Sequence, residues 1–143
     1  MMGVVVDANI LIAYSLGDEP LHTQAHALLN QWYQQSEQLV APRLFHSEIT
    51  AVIRKIVYQQ RITVEQGRLL LSQLLQYPIE LHEDVALLQD AYELAVQFNR
   101  PRAYDSQYMA LSKRLSCDFW TADERLVNSI SNQFPHIRWL GEM

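Results

Sequence analysis

Four carboxylates stand where a fold could bring them together: Asp7, Glu48, Asp105 and Asp123. Each lies where a short apolar run ends or where a helical pattern begins. The stretch "VVVDANILIA" climbs through a buried-strand pattern to Asp7, passes Asn9 and turns apolar again. A charge at the end of a buried run is costly unless something pairs with it. One such acid is well explained as a helix cap, because a helix N-terminus favours negative charge by about 0.3–1 kcal/mol. Four on one side of one sheet ask for more. Gathered there, they repel one another unless cations lie between them, and the hard cations that take oxygen ligands are Mg²⁺ and Mn²⁺.

The elements that must position these acids alternate along the chain. "VVV" at 4–6 reads as a short buried strand and "NILIAYS" as a helix start, with Asn9 as its N-cap. Pro20 suits the first position of a second helix, which carries Ala25, Leu28, Leu29 and Trp32 at helical spacing. "QLVAP" at 38–42 reads as a strand stopped by proline, and 44–59 as an amphipathic helix with Glu48 in its first turns. "TVEQ" at 63–66 matches a capping box, continued by "GRLLLSQLLQY". "YPIEL" at 77–81 reads as a third strand, and a helix over 84–98 packs through Leu87, Leu88, Ala91, Leu94 and Ala95. "NRPRA" breaks it, Asp105 opens the next helix, "CDFWT" is a fourth strand, "ADERLVNSIS" a short helix and "IRWL" a last strand. Strands alternating with helices predict an α/β domain with a mostly parallel, about five-stranded sheet. In such sheets ligands bind beyond the carboxyl ends of the strands, which is where Asp7 and Asp123 fall.

Composition narrows the function classes. A chain of 143 residues, 49% of them apolar, suits one domain with one core over 1–143. No apolar stretch is long enough to cross a bilayer, and the start lacks the basic segment of a secretory signal. The single Cys117 permits no intrachain disulfide and is expected to be buried and inert, so a cytoplasmic location is expected. The formal charge of −5 excludes a general basic coat for nucleic acid. Any nucleic-acid contact must be a local patch, and most of the scattered basic residues read as solvated helix faces.

Other features support less. His22 and His26 lie four apart on a helix, but Thr23 stands where the zinc-protease motif needs glutamate, so zinc is not expected. His46 is expected to point away from Glu48. Trp32, Trp120 and Trp139 read as core or interface. With four glycines in the chain there is no glycine-rich phosphate loop. An aspartyl-phosphate phosphatase needs a second acid two residues after the first, and Asn9 occupies that place.

In order and spacing, "VVVDANILI", "APRLFHSEITAVIRK", "RAYDSQYMALSKRL" and "CDFWTADERLV" resemble the PIN-domain nucleases. They are most similar to the small single-domain members, the VapC-type ribonuclease toxins of bacterial toxin–antitoxin pairs. The resemblance covers nearly the whole chain and implies a PIN-like three-layer α/β/α domain. It matches the family's acids to Asp7, Glu48, Asp105 and Asp123, its small polar residue to Asn9 and its hydroxyl residue to Thr121. The implied activity is hydrolysis of RNA phosphodiester bonds with one or two Mg²⁺ or Mn²⁺ ions. Asp7, Asp105 and Asp123 would ligate, Glu48 would hold a second ion or orient the attacking water, and Asn9 and Thr121 would fix the carboxylate rotamers. The implied partners are RNA, a cognate antitoxin whose tail lies between the early helices and 44–77, and a second copy. The apolar faces of 44–59 and 63–77 fit that second copy. The alternatives are a non-catalytic PIN-like module that binds RNA or protein, which would be expected to have lost acids, and a housekeeping PIN nuclease without an antitoxin.

Overall fold

The computed structural model describes residues 3–143. Its strands are β1 (Gly3–Val6), β2 (Gln38–Pro42), β3 (Glu80–His82), β4 (Phe119–Thr121) and β5 (Ile137–Trp139). All pairs are parallel, in the order β3-β2-β1-β4-β5. Successive residues of a strand face opposite sides of a sheet. Val5 and Val6 are both wholly buried, so helices cover β1 on both faces, as parallel sheets require. The helices are α1 (Ala8–Ser15), α2 (His22–Gln34), α3 (Phe45–Tyr58), α4 (Val64–Leu75), α5 (Val85–Gln97), α6 (Asp105–Leu115) and α7 (Glu124–Ile130). None of these is long and apolar enough to cross a membrane.

The sequence pattern is met with shifts that have local causes. Asp7, not Asn9, is the N-cap of α1: its side chain accepts from the Asn9 N–H. The second helix begins at His22 after an Leu21 cap, so Pro20 lies before it rather than at its first position. β3 lies at 80–82 rather than 77–81. Pro78 has no N–H to give a ladder, and pairing starts where Glu80 meets Val40. Leu88 is 40% exposed rather than packed. The capping box at Thr63 is present, with Thr63 and Gln66 each bonding the other's backbone N–H. Gly67 lets α4 approach α3: a Cβ there would sit 2.6 Å from Cγ2 of Val57.

Four helices end in a left-handed turn carried by a residue other than glycine. Ser36, Gln60, Asn99 and Ser116 hold φ of 53, 62, 51 and 52°. At α3 the Gln60 N–H bonds the Val57 carbonyl and the Arg61 N–H bonds that of Ile56, the paired bonds of a Schellman cap. A non-glycine residue there carries roughly 1–2 kcal/mol of left-handed strain. Gln60 is exposed, so Gln60→Gly is expected to raise stability. The gain should be about 0.5–1 kcal/mol once glycine's greater freedom in the unfolded chain is subtracted, read as an upward shift in urea midpoint. The same cap on α5 matters for the site. Asn99 turns the chain and the Arg100 N–H bonds the Ala95 carbonyl, which sends Arg100 back toward the start of α6.

Candidate active site

The strand order reverses between β1 and β4, and the crevice beyond their carboxyl ends is where a ligand belongs. Asp7 follows β1 directly, and its backbone N–H donates to the Trp120 carbonyl at 3.0 Å. Its Oδ1 accepts from the Asn9 N–H at 3.4 Å and its Oδ2 from the Thr121 hydroxyl at 2.9 Å. Thr121 ends β4 and is wholly buried. Its Oγ1 also accepts from Asn9 Nδ2 and from the Asp123 N–H, both at 3.1 Å. With both lone pairs taken, the hydroxyl proton has one direction left, toward Asp7. Asn9 Oδ1 in turn accepts from the Ala122 N–H at 2.9 Å. Thus Asn9 reaches Asp7 through Thr121 while tying α1 to the turn after β4.

The other three acids come from helix starts. Asp123 caps α7 by accepting from the Leu126 N–H at 3.2 Å. Asp105 is the first residue of α6, and its Oδ2 lies 3.4 Å from a guanidinium nitrogen of Arg100. Glu48 lies in the first turn of α3, and its Oε1 accepts from the Tyr108 hydroxyl at 2.5 Å. Tyr108 and Arg100 were not singled out from the sequence. Tyr108 was legible in principle, because a residue three after Asp105 shares its helix face. Ring contacts place His46 against Phe45, 5.9 Å between centroids. His22 bonds the Ala13 carbonyl through Nδ1 at 2.8 Å, and His26 lies 4.4 Å from the Tyr14 ring. Cys117 is buried, with its thiol pushed up by that burial.

The acids feel one another. Burial pushes the Asp7 carboxyl up to about 8; the charges of Glu48 and Asp105 add to the rise, and the hydrogen bonds from Thr121 and Asn9 oppose it. Glu48 is raised by burial and by Asp105, against the pull of the Tyr108 hydrogen bond. Asp105 is raised by burial and by Asp123, against Arg100. A chain of mutual repulsion therefore links all four. The donors are carboxylate oxygens, the ligand type of Mg²⁺ and Mn²⁺, and a cation is what such a cluster needs to ionise. Among the described residues, no three His, Cys, Asp or Glu side chains are gathered closely enough to hold an ion alone. A cation here would complete its shell with water and substrate oxygens, the habit of Mg²⁺.

Asp7 also sets a pH dependence. An ordinary carboxyl of this type titrates near 3.8 and that of folded Asp7 near 8. Between those values the unfolded chain is ionised while folded Asp7 keeps its proton. Without cations, stability should therefore fall as pH rises from about 4 toward 8, by at most about 1.4 kcal/mol per unit, and level off above. Thermal melts in EDTA at pH 5, 6.5 and 8 should give descending midpoints, and Mn²⁺ should restore the highest-pH value most. A flat series would show that Asp7 ionises freely in the fold.

The PIN domain family model matches residues 5–133, a span that includes all four acids. The chain belongs to the PIN-domain family. Two relatives are each 30% identical over 132 residues, covering 92% of this chain and 94% of theirs. They are Ribonuclease VapC9 of Mycobacterium tuberculosis and VapC ribonuclease Mb0985 of Mycobacterium bovis. Among solved structures, PAE2754 from Pyrobaculum aerophilum superposes with a TM-score of 0.71 at 18% identity, over 99% of this chain and 91% of that one. Mycobacterium tuberculosis VapC20, described as a sarcin-ricin loop cleaving toxin, gives 0.68 at 14% identity, over 95% and 99%. FitAcB from Neisseria gonorrhoeae gives 0.67 at 15%, over 98% and 99%. At these identities the solved structures speak for a PIN fold, the five-stranded parallel sheet described above.

Proposed function

We propose that this chain, a single PIN domain over 1–143, is a metal-dependent endoribonuclease and the toxin of a type II toxin–antitoxin pair. The observation that carries the reading is the linked set of Asp7, Glu48, Asp105 and Asp123 at the carboxyl edge of the sheet, in a chain whose 30%-identical relatives are named ribonucleases. Asp7, Asp105 and Asp123 hold one or two Mg²⁺ or Mn²⁺ ions, directly or through water. Bound there, the cation supplies an acidified water and offsets the charge that builds on the phosphoryl oxygens. Glu48 orients the attacking water or holds the second ion. Thr121 keeps the Asp7 carboxylate turned, and Asn9 keeps Thr121 turned. Arg100 stands beside Asp105 with a guanidinium that can also take a substrate phosphate.

Such chemistry makes no use of the ribose 2′-hydroxyl. Cleaved RNA is expected to carry 5′-phosphate and 3′-hydroxyl ends, and a substrate with one 2′-deoxy sugar at the cut should be cleaved at a similar rate. A 2′,3′-cyclic phosphate product would overturn the hydrolytic reading.

Two protein partners complete the proposal. An antitoxin tail fits the groove between α1, α2 and the end of α4, lined by Tyr14, His26, Leu29, Tyr33 and Tyr77. A second copy fits the apolar surface that Tyr58, Val64 and Leu69 leave exposed on α3 and α4. Light scattering at high micromolar concentration is expected to give a dimer, and a monomer there would count against the second copy.

A further inference from the structure

We propose that Tyr108 is a positioning residue of the hydrolytic site: its phenol ties down one oxygen of Glu48 and leaves the other to face the reacting groups. The inference rests on the nuclease reading above and adds to it a residue from the core.

Tyr108 is wholly buried. Its ring stacks on Phe119 of β4, with centroids 5.4 Å apart and planes 14° from parallel. A phenylalanine would fill that space equally well. A hydroxyl in such a place is costly unless it is partnered, and here its partner belongs to the site: the phenol donates to Glu48 across 2.5 Å. Glu48 has three rotatable bonds and comes from a different helix, and no other hydrogen bond holds its carboxylate among the described residues. The clamped ring therefore decides where that carboxylate points. Because Tyr108 and Asp105 share one face of α6, the same helix places one acid of the site and tethers another. Partners of this kind, one step behind the ligating atoms, change metal affinity or activity by about 10–100-fold when removed.

The test compares wild type with Tyr108→Phe, which keeps the stacked ring, and with Glu48→Gln and the double variant. In Tyr108→Phe, kcat on RNA is expected to fall about 10–100-fold with KM unchanged, and Mn²⁺ binding measured by calorimetry, without RNA, should weaken about tenfold. In the Glu48→Gln background the same substitution should change neither quantity further, since the tether then has no carboxylate to hold. Equal Mn²⁺ binding by wild type and Tyr108→Phe would overturn the inference even if RNA were cut. Equal losses in both backgrounds would also overturn it, by assigning Tyr108 to packing alone. Failure of wild type to cut RNA would sink the nuclease reading, while the calorimetric comparison still decided the role of Tyr108.

Discussion

Asp7→Asn is expected to lower RNA cleavage by on the order of 10³-fold, about 4 kcal/mol of transition-state stabilisation, and to make the cation-free protein more stable. The two effects have one cause. Asparagine has the shape of aspartate, its carbonyl oxygen can accept from Thr121, and it is among the best N-cap residues for α1. What the substitution removes is a charge that burial and the neighbouring acids hold at a disadvantage, with the carboxyl at about 8. A cation bound beside Asp7 would relieve that disadvantage. Melts at pH 7.5 in EDTA should place the variant above wild type, and excess Mn²⁺ should raise wild type while leaving the variant in place. A variant that cuts RNA normally would take Asp7 out of the site. One that is inactive and less stable would mean that Asp7 mainly supports the fold.

Expression of the wild-type chain alone is expected to stop bacterial growth and colony formation, and co-expression of its antitoxin should restore both. Asp105→Asn should be harmless at the same expression level and should still bind the antitoxin. The reason lies in how charge and apolar surface are divided. The site is an acidic mouth, and the position of Arg100, 3.4 Å from Asp105, shows that a guanidinium can approach there. An arginine or lysine at the tip of a partner's tail would compete with cations for the same oxygens. No lysine or arginine precedes Arg43, so the first two helices offer a basic tail no repulsion. Most of the proposed contact is the aromatic groove lined by Tyr14, Tyr33 and Tyr77, which Asp105→Asn leaves intact. Pull-down of the antitoxin by the variant and colony counts on inducing plates check both halves. A wild-type chain that is harmless alone and binds no neighbouring gene product would leave a nuclease without a toxin's role.

The acids were legible because each stands at a boundary that local sequence marks. Val4–Val6 is too short and too apolar for anything but a buried strand, so Asp7 had to emerge at its end. "TVEQ" and the apolar spacing of α3 and α4 gave those helices almost to the residue. The cap of α1 was misread because Asp7 and Asn9 both carry cap chemistry, and only the β-region backbone of Asp7 decides between them. The ends of α2, α3, α5 and α6 lacked their usual signal, since Ser36, Gln60, Asn99 and Ser116 hold left-handed turns where glycine is the common sign. The tie between Tyr108 and Glu48 was hidden for a different reason. Within "YDSQYMAL" the tyrosine has the spacing of a core residue, and it is one. Its hydroxyl meets Glu48, 60 residues earlier, only when α3 folds against it.

The most direct test of the account is a Mn²⁺ titration of RNA cleavage, run side by side on wild type and on Asp7→Asn, Asp105→Asn and Asp123→Asn. The account predicts no cleavage by wild type in EDTA, recovery with micromolar to millimolar Mn²⁺ or Mg²⁺, and no return to the wild-type rate in the Asp7, Asp105 and Asp123 variants at any cation concentration. Cleavage by wild type in EDTA at the rate seen with Mn²⁺ would contradict it.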